Sequence, residues 1–432
     1  MKHIYFLGIG GAGITPLALL AKQSGFEVSG SDKQNSKNIK YLIDHGITNI
    51  DIGDTLKSLQ NRQNENKIDW VVYSSALTFE NLDFPEEEFA KKNGLKITKR
   101  DQFVDYFIQN KKLKLIAIAG THGKTTTTAM LIWLFKALNI PTSYVLSTVV
   151  NYADQAEYNP SSEYFIYEAD EFDRNFLTFK PNLSIISGVS WDHHEIYQTK
   201  DDYNKAFRDF IDASKKTIIY ETDYRTLELT TNNNIKTVQY SATELSKISL
   251  LGKYNRMDGY LGVRAIEELF GIDPTKVFPL ISQFPGLQRR MEEIIPNLYS
   301  DYAHTPEKIN AVLNLAQEMT KLTNQKIIII YEPLTNRRQY YIKEQYGNLF
   351  RNVDKIYWVD SYLAREDPKQ AILTPKELIN YLKNPAIAQP SKLDSNLKNK
   401  IQNHLDQKDL VLAISGGGGN SLDEWIRKEF KA

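Results

Sequence analysis

The stretch LIAIAGTHGKTTTTAML, residues 115–131, constrains the fold more than any other part of the chain. An apolar run leads into Gly120-Thr121-His122-Gly123-Lys124-Thr125-Thr126, and a helical pattern follows. A loop that cradles phosphate needs a buried strand, glycines that turn backbone N–H groups toward the anion, a lysine and a hydroxyl for Mg²⁺. The strict pattern also has a glycine where this chain has Ile118. The sequence predicts a phosphate-binding loop, and a turn that carries Gly-Lys-Thr without a ligand is the alternative.

Strand and helix patterns alternate along the whole chain, which is typical of parallel α/β sheets. The chain has 432 residues, and single cores rarely exceed roughly 250–300 residues, so we expect several domains. We predict an α/β fold with three domains: a Rossmann-like parallel sheet in 1–110, a P-loop ATPase-like domain in 111–285 and a Rossmann-like domain in 286–432.

Composition excludes several kinds of site. Lysine plus arginine and aspartate plus glutamate both total 53, so no excess charge favours a nucleic-acid or membrane-surface partner. Cysteine is absent, which removes disulfides and thiolate chemistry. The N-terminus becomes glycine-rich too early for a signal peptide, and no apolar run approaches the roughly 18–20 residues of a membrane span. We therefore expect a soluble cytoplasmic protein.

A second glycine-rich loop stands at the N-terminus. Gly8, Gly10 and Gly13 satisfy G-x-G-x-x-G directly after a predicted strand, and Asp32 ends the next strand, where an acid that binds ribose would stand. Alone, this pattern favours NAD(P) and a dehydrogenase, and a tight turn without a ligand is the simpler reading. Because a phosphate loop follows in the same chain, the first loop can instead hold a nucleotide-tagged substrate.

Acids and histidines follow two predicted strands of the central part. Glu168, Asp170, Glu171 and Asp173 crowd one strand end, where they would repel one another unless cations neutralise them. Thr125 with one carboxylate, Glu168 being favoured, would hold Mg²⁺ bound to ATP phosphates. The sequence Asp-His-His at 192–194 suggests a second cation or a phosphate oxygen. An exposed acidic turn and an ordinary surface histidine pair are the alternatives.

Taken together, these motifs resemble the Mur ligases, and the resemblance covers nearly the whole chain. They occur in the family's order: GIGGAG, SGSD, VVYSSAL, AGTHGKTTT, EADEFD, DHH, GKYN, QRRMEE and DYAHTP. The resemblance implies a three-domain cytoplasmic enzyme of peptidoglycan synthesis that uses ATP and Mg²⁺. The expected reaction joins UDP-N-acetylmuramate to L-alanine through an acyl phosphate. We expect a monomer or weak homodimer, with neither nucleic acid nor membrane as partner.

The resemblance also assigns residues, position by position. The residues that the resemblance implies for UDP-sugar binding are Gly10, Gly11, Gly13, Asp32, Ser74 and Ser75. ATP binding falls to Gly120, Thr121, His122, Gly123, Lys124, Thr125, Thr126, Asn255, Arg290 and Asp301. Metal binding falls to Thr125, Glu168 and His193. The catalytic residues are Lys124, Glu168, His193 and Arg290, and the amino acid is expected at Tyr302, His304 and Arg338.

The chain departs from the alanine-adding pattern at several positions. Thr305 replaces a second histidine, Tyr254 replaces the histidine of the family's GxHN motif, and Leu334-Thr335 stand where a His-Arg pair is usual. Arg337 or Arg338 can still supply a planar fork for a carboxylate. Glu-Pro-x-x-Asn at 332–336 is similar to tripeptide-recycling relatives. Ligation of a peptide or of another amino acid, and a non-catalytic nucleotide-binding homologue, therefore stay open alongside the dehydrogenase.

Overall fold

The computed structural model describes residues 2–74, 77, 84–193, 196–230, 234–364 and 366–431. The chain forms two compact units. The first contains Met1–Leu250 with Asn255–Pro285, and the second contains Leu251–Tyr254 with Gly286–Ala432. Over the described residues, strands join into three sheets that are parallel except at two edge pairings, so the predicted α/β class is confirmed.

The first sheet lies at the N-terminal end of the first unit. Within the described ranges its five strands are all parallel, in the order β3-β2-β1-β4-β5 that is typical of Rossmann-like domains. The central strand, β1, is buried at every position, and this explains its continuous apolar reading. The strands are β1 His3–Leu7, β2 Glu27–Asp32, β3 Ile50–Ile52, β4 Trp70–Tyr73 and β5 Lys96–Lys99. The helices are α1 Thr15–Gln23, α2 Lys37–Asp44, α3 Thr55–Glu65, α4 Pro85–Lys92 and α5 Arg100–Lys111.

The second sheet belongs to the same unit. Over the part of the chain that the structure describes, it has seven strands in the order β12-β11-β10-β6-β9-β7-β8, with only β7 and β8 antiparallel. Its strands are β6 Lys114–Ala119, β7 Thr142–Val145, β8 Ala156–Glu157, β9 Tyr164–Glu168, β10 Leu183–Ile186, β11 Thr217–Tyr220 and β12 Ile235–Val238. Its helices are α6 Lys124–Ala137, α7 Lys200–Asp212, α8 Glu221–Thr226, α9 Ala242–Leu245, α10 Lys253–Phe270 and α11 Pro274–Ile281, and a 3₁₀ segment spans Phe172–Thr178.

Aromatic packing joins the first two sheets into one core. The ring of Phe107 in α5 lies 5.6 Å from the rings of both Tyr158 and Phe165, measured between centroids. Residues of both sheets share a single buried hydrophobic cluster. The predicted parts 1–110 and 111–285 each contain one of these sheets, and the boundary between them as separate domains stays a prediction.

The second unit contains the third sheet. Within the described residues its order is β13-β14-β18-β15-β16-β17, and only β13 and β14 are antiparallel. The strands are β13 Glu292–Ile295, β14 Leu298–Asp301, β15 Ile327–Glu332, β16 Lys355–Trp358, β17 Ala388–Pro390 and β18 Leu410–Ser415. The helices are α12 Pro306–Thr320, α13 Asn336–Ile342, α14 Tyr346–Leu349, α15 Pro375–Ile379, α16 Ser395–Asp406 and α17 Leu422–Phe430, with 3₁₀ turns at Lys343–Gln345 and Pro385–Ile387.

One departure from the family pattern has a local structural role. Thr305 is the N-cap of α12: its side chain accepts a hydrogen bond from the backbone N–H of Lys308, and Pro306 occupies the first turn. Threonine is favoured at the N-cap and proline in the first turn, so these two residues account for where the helix begins. Among the described residues, no helix combines the length and apolar character that crossing a membrane requires.

Candidate functional site

The sheet topology brings three of the predicted motifs to one edge. Strand β6 lies between β10 and β9, and all three run parallel. The phosphate loop follows β6, the acidic turn follows β9 and the segment containing His193 follows β10. Because parallel strands place their carboxyl ends at the same edge of a sheet, these loops meet, as is usual for ligand sites in α/β folds.

Lys124 of the loop is held inside the protein by acceptors. Its Nζ lies 2.7 Å from Oε2 of Glu171 and 2.6 Å from the carbonyl oxygen of Gly120, and its side chain is 14% exposed. Burial opposes the charge, but the carboxylates of Glu171, Asp170 and Glu168 raise the pKa of Lys124 above its ordinary value. The lysine is therefore a fixed positive charge at the loop.

Thr125 and Glu168, both predicted to bind metal, contact each other directly. The Thr125 hydroxyl lies 3.1 and 3.0 Å from the two carboxylate oxygens of Glu168. Ser147, which the sequence analysis did not single out, donates to Oε2 of Glu168 at 2.6 Å. Two hydroxyls and a half-buried carboxylate make a set of hard oxygen donors, which is the chemistry that Mg²⁺ prefers.

Glu171 connects the loop to His193. Its side chain is 1% exposed, and its Oε1 lies 3.5 Å from Nε2 of His193. Within the described residues this Oε1 has no hydrogen-bond partner. His193 itself has a positive φ of 53°, a strained conformation for a residue other than glycine. A buried carboxylate oxygen without a hydrogen bond, beside a strained histidine, is the arrangement expected where a bound cation supplies the missing partner.

Within the described part of the chain, protein groups alone do not complete a metal site. Among the described residues, no three His, Asp or Glu side chains are arranged to hold a metal ion together. Mg²⁺ in phosphate-transfer sites typically keeps several waters and binds one or two carboxylates together with substrate phosphates. The pairing of Thr125 with Glu168 therefore fits Mg²⁺ that arrives with a nucleotide.

The phosphate loop is held tightly between Ser187, which follows β10, and Asp258 of α10. A Cβ atom at Gly120 would lie 2.4 Å from Oγ of Ser187, and one at Gly123 would lie 2.6 Å from Oδ1 of Asp258. Both glycines have positive φ, 147° and 78°. Substitution at either position would therefore strain the backbone and force neighbours to move.

Other predicted ATP-site residues make contacts within the protein. The Thr121 hydroxyl lies 2.7 Å from both the carbonyl oxygen of Ser190 and the hydroxyl of Tyr203. The imidazole of His122 packs on Gly188, and Thr126 is buried in the first turn of α6. Asn255 lies in the first turn of α10. The predicted contacts of these residues with ATP stay predictions.

The N-terminal glycine loop is shaped by two polar side chains. The backbone N–H of Gly10 donates to Oδ2 of Asp32 at 2.9 Å, and its carbonyl accepts from Nδ2 of Asn38 at 2.8 Å. The N–H of Gly11 donates to the carbonyl of Gly8 at 2.9 Å. Asp32 therefore fixes the loop conformation, and its predicted contact with the sugar nucleotide stays a prediction.

Two predicted sugar-site residues follow β4. Ser74 directly follows the strand, and its carbonyl accepts the backbone N–H of Leu77 at 3.0 Å. Ser75 lies outside the described residues.

Arg100, which the sequence analysis missed, lies against the N-terminal loop. It is the first residue of α5, and its Nη2 donates to Oδ2 of Asp170 at 2.8 Å. A Cβ atom at Gly13 would lie 2.0 Å from Nη1 of Arg100. No short sequence motif identifies Arg100, because its partners Gly13 and Asp170 lie 87 and 70 positions away along the chain.

A further cluster lies after β14 in the second unit; we call Arg290, Asp301, Tyr302, His304 and Arg338 the histidine cluster. Both carboxylate oxygens of Asp301 accept backbone N–H groups at 2.8 Å, from Met291 and Ala303. Burial raises the pKa of Asp301, although Arg290 opposes that shift. The predicted contacts of Arg290 and Asp301 with ATP stay predictions.

His304 is neutral in this setting. Burial, together with the positive charges of Lys308 and Arg338, lowers the pKa of His304 well below its ordinary value. Its Nδ1 lies 2.9 Å from the carbonyl oxygen of Tyr302, which can only accept. Nδ1 therefore carries the proton, and Nε2 is left as the proton acceptor of the ring.

The loop that carries Arg338 is strained and braced. Thr335, a β-branched residue, has a φ of 53°, and its side chain accepts the N–H of Arg338 as the N-cap of α13. The carboxylate of Glu366 accepts the N–H groups of Asn336 and Arg337 at 3.0 and 2.9 Å. A strained residue held in place by its surroundings is typical of ligand-binding loops.

The residues that are similar to the tripeptide-recycling relatives have structural roles. Glu332 is buried and accepts hydrogen bonds from the Ser415 hydroxyl at 2.5 Å and from the N–H of Leu422 at 2.9 Å. Asn336 is also buried, and its amide group bonds to Ala371 and Leu373. These two side chains brace the loop.

Comparisons with known protein families and curated proteins find matches along the chain. Residues 3–112 match the model described as "Mur ligase family, catalytic domain", and residues 118–261 match "Mur ligase middle domain". The UDP-N-acetylmuramate–L-alanine ligase of Clostridium acetobutylicum is 28% identical over 96% of this chain and 95% of that protein. The enzyme of the same name from Rickettsia bellii is 27% identical over 100% and 97%.

Solved structures are similar over the full length. The UDP-N-acetylmuramate–alanine ligase of Thermotoga maritima has a TM-score of 0.76 at 22% identity, covering 100% of this chain and 99% of that one. A murein peptide ligase from Psychrobacter arcticus has a TM-score of 0.67 at 23% identity, covering 100% and 98%. At these identities the similarity establishes the fold.

Proposed function

Because the chain belongs to the Mur ligase family, we propose that it joins UDP-N-acetylmuramate to L-alanine in an ATP-dependent reaction of peptidoglycan synthesis. The observation that carries the proposal is the meeting of Lys124, Glu168 and Glu171 at one sheet edge. A dehydrogenase or a simple binding module has no need of this set. Relatives bearing the ligase name align over nearly the whole chain.

ATP is needed because a carboxylate does not condense with an amine at neutral pH. In the proposed reaction an oxygen of the muramyl carboxylate attacks the γ-phosphorus of ATP, ADP leaves, and an acyl phosphate forms. Negative charge accumulates on the transferred phosphoryl group. Lys124, fixed by Glu171 and Gly120, is placed at the loop to offset that charge.

Mg²⁺ would be held by Thr125 and Glu168, and His193 would assist at a second position. When bound, the ion would neutralise phosphate charge as a Lewis acid. The chain's own part is to hold the donors ready: Ser147 orients the carboxylate of Glu168, and Glu171 lies against both Lys124 and His193.

We assign the binding of the amino acid, whose amine attacks the acyl phosphate, to the histidine cluster of the second unit. Arg338 offers a planar fork for the carboxylate of the amino acid. The neutral imidazole of His304 has a proton-accepting Nε2, which can take the proton that the ammonium group must lose before it attacks. Attack at the acyl phosphate gives a tetrahedral intermediate that expels phosphate and leaves the amide.

The proposal is tested by phosphate release from ATP and Mg²⁺ in the presence of UDP-N-acetylmuramate and a panel of amino acids and short peptides. Stimulation by L-alanine alone supports the proposal. Stimulation by a peptide alone assigns the chain to recycling, and absence of any stimulation favours a non-catalytic homologue. Formation of a product with the mass of the amide, detected by mass spectrometry, separates ligation from uncoupled ATP hydrolysis.

A further inference from the structure

The first sheet supports the acidic turn after β9 through residues at the start of α5. Nζ of Lys99 lies 2.5 Å from Oδ2 of Asp173, and Nη2 of Arg100 donates to Oδ2 of Asp170 at 2.8 Å. The side chains of Lys99 and Arg100 are 36% and 16% exposed, so the second contact is the more enclosed of the two. Two neighbouring cations therefore hold the turn at two carboxylates, and Glu171 stands between those carboxylates in sequence.

The next residue, Asp101, holds the strand that leads into the turn. Its side chain is 1% exposed, and its Oδ1 accepts a hydrogen bond from the hydroxyl of Tyr167 in β9 at 3.2 Å. Tyr167 is itself buried. Together with the two ion pairs, this contact follows the chain from the end of β9 through the turn. We call Lys99, Arg100 and Asp101 the α5 clamp.

The turn that the α5 clamp holds is strained. Asp173 and Arg174 both lie in the left-handed region, with φ of 53° and 54°, and neither is a glycine. Two successive left-handed residues cost free energy and persist only where their surroundings fix them. Nη2 of Arg174 contacts both carboxylate oxygens of Asp202, at 2.7 and 2.8 Å, and this contact adds a further fixed point. The conformation of the turn is therefore imposed, and it can relax when a fixed point is removed.

The imposed conformation directs Glu171 at Lys124. The carbonyl oxygen of Glu171 accepts hydrogen bonds from the hydroxyl of Tyr197 at 2.6 Å and from the N–H of Arg174 at 3.0 Å. Its carboxylate, which is 1% exposed, lies 2.7 Å from Nζ of Lys124. A lysine that already has a carboxylate partner binds phosphate less tightly, because that partner must first be displaced. Glu171 is thus an internal competitor for the phosphates of a nucleotide.

We propose that the residues of the α5 clamp are positioning residues that hold Glu171 on Lys124, so that the first sheet limits how tightly the phosphate loop binds a nucleotide. The inference rests on the proposed function, which places ATP at this loop. Relaxation of the turn would move Glu171 away from Lys124, and phosphate oxygens would then take its place without displacing a partner. Loss of the clamp should therefore tighten nucleotide binding, whereas general loosening of the site would weaken it.

The same competition acts on the product of phosphoryl transfer. ADP keeps the β-phosphate, which the lysine of a phosphate loop also contacts. Glu171, kept in place by the clamp, competes for Lys124 once the γ-phosphoryl group has left, and this favours release of ADP. ADP should therefore also bind more tightly to variants of the clamp.

Calorimetry with AMP-PNP and Mg²⁺ measures the dissociation constant for the full chain and its variants. Lys99→Gln should tighten binding by about threefold, and Lys99→Gln combined with Arg100→Gln by about tenfold, because a second charge-assisted contact is lost. Glu171→Gln should tighten binding at least as much as the combined variant. Introduced into Glu171→Gln, the two clamp substitutions should change the constant by less than about twofold, since contacts that act through Glu171 are not additive with its removal.

Matched variants control for charge and for the loss of an ion pair. Lys99→Arg keeps a cation opposite Asp173 and should retain the affinity of the unmodified chain. Lys136→Gln breaks a pair with Glu157 at 2.8 Å, whose side chains are 35% and 37% exposed, and it should leave the affinity unchanged. Circular dichroism checks folding. Asp173→Asn removes the pair with Lys99 from the other side, with a residue that tolerates the left-handed region, and should tighten binding as Lys99→Gln does.

The outcomes separate the clamp from the function on which it rests. If the unmodified chain does not bind AMP-PNP with Mg²⁺, the proposed function fails and the inference with it. If it binds, unchanged or weaker binding in the folded clamp variants overturns the inference alone. A clamp effect that persists in full in Glu171→Gln overturns it as well, because the clamp would then not act through Glu171.

Discussion

The two strand-end clusters, one in each compact unit, handle charge in opposite ways. At the phosphate loop, Lys124 is matched by a buried carboxylate, Glu171, at 2.7 Å. In the histidine cluster, the buried carboxylate of Asp301 is satisfied by backbone N–H groups, and positive charges bear on a neutral His304. The first cluster is balanced within the chain, so its nucleotide has to replace an existing partner. The second has an excess of positive charge, which suits a carboxylate ligand.

Removal of Lys124, the lysine whose charge Glu171 matches at the phosphate loop, should have the largest effect on activity. In Lys124→Ala we expect kcat to fall by about 10³-fold or more, since the fixed charge that offsets the transferred phosphoryl group is lost. Calorimetry should find affinity for UDP-N-acetylmuramate unchanged. Lys205→Ala removes an exposed lysine of α7 that pairs with Asp209, and it should leave both quantities unchanged. Loss of sugar-nucleotide binding in Lys124→Ala would contradict the separation of the two loops.

Neutralising Glu171 tests whether the balance also stabilises the fold. Glu171→Gln leaves Lys124 buried beside an amide, and removal of one partner of a buried ion pair typically costs about 3 kcal/mol or more. The free energy of unfolding from urea titrations should fall by about that amount. The control is Glu163→Gln, which breaks an exposed pair with Lys114 and should leave the free energy unchanged.

Saturating ATP adds a second readout to the Glu171 experiment. Phosphates supply Lys124 with a new partner, so ATP should stabilise Glu171→Gln more than it stabilises the unmodified chain, seen as a larger rise in Tm. An equal rise in both proteins would mean that Glu171 is not the partner which the nucleotide replaces.

The contrast between the clusters also explains what the sequence could predict. The phosphate loop was found because its backbone geometry requires Gly120, Gly123 and Lys124 at fixed spacing after a strand. The α/β class is predicted from the alternation of strand and helix patterns along the chain, and the three sheets confirm it. Such features are local, so a short stretch of sequence contains them.

Contacts between distant parts of the chain were not predictable in the same way. Arg100 follows β5, Gly13 lies in the loop after β1, and Asp170 follows β9. The three residues meet only in the folded chain, and no spacing along the sequence encodes those contacts. The roles of Glu171 and Ser147 were missed for a related reason. Among the four acids at the end of β9 the sequence favours Glu168 as the metal ligand and assigns no role to Glu171, and burial in the folded chain is what separates the enclosed Glu171 from the other three.

Substitution of Arg338 tests whether the positive charge of the histidine cluster binds the carboxylate of the amino acid. Arg338→Ala should raise KM for the amino acid by about 10-fold to 100-fold, the range that a lost charge-assisted hydrogen bond implies, with KM for ATP unchanged. Arg337→Ala is the matched control, because Arg337 is the exposed neighbour, whose backbone N–H bonds to Glu366. A larger effect in Arg337→Ala would assign the carboxylate to that neighbour instead.

The smallest effect is expected from the pH dependence of His304. Its pKa is lowered on folding, so below about pH 6.5 the unfolded chain takes up a proton that the folded chain does not. Stability should therefore fall as pH decreases through that region, by no more than about 1.4 kcal/mol per pH unit. His304→Gln cannot take up this proton, so its stability should decrease less between pH 7.5 and 5.5.

Urea titrations of both proteins at the two pH values measure this difference, and contributions from Asp301 and other acids cancel in the comparison. The positive charges that make the cluster suitable for a carboxylate are the same ones that keep the imidazole neutral. Adding 0.5 M salt should therefore shrink the difference between the proteins, because screening weakens the contribution of Lys308 and Arg338 while burial of the ring is unaffected. A difference that salt leaves unchanged would assign the lowered pKa to burial alone, and the two clusters would then differ in desolvation rather than in charge.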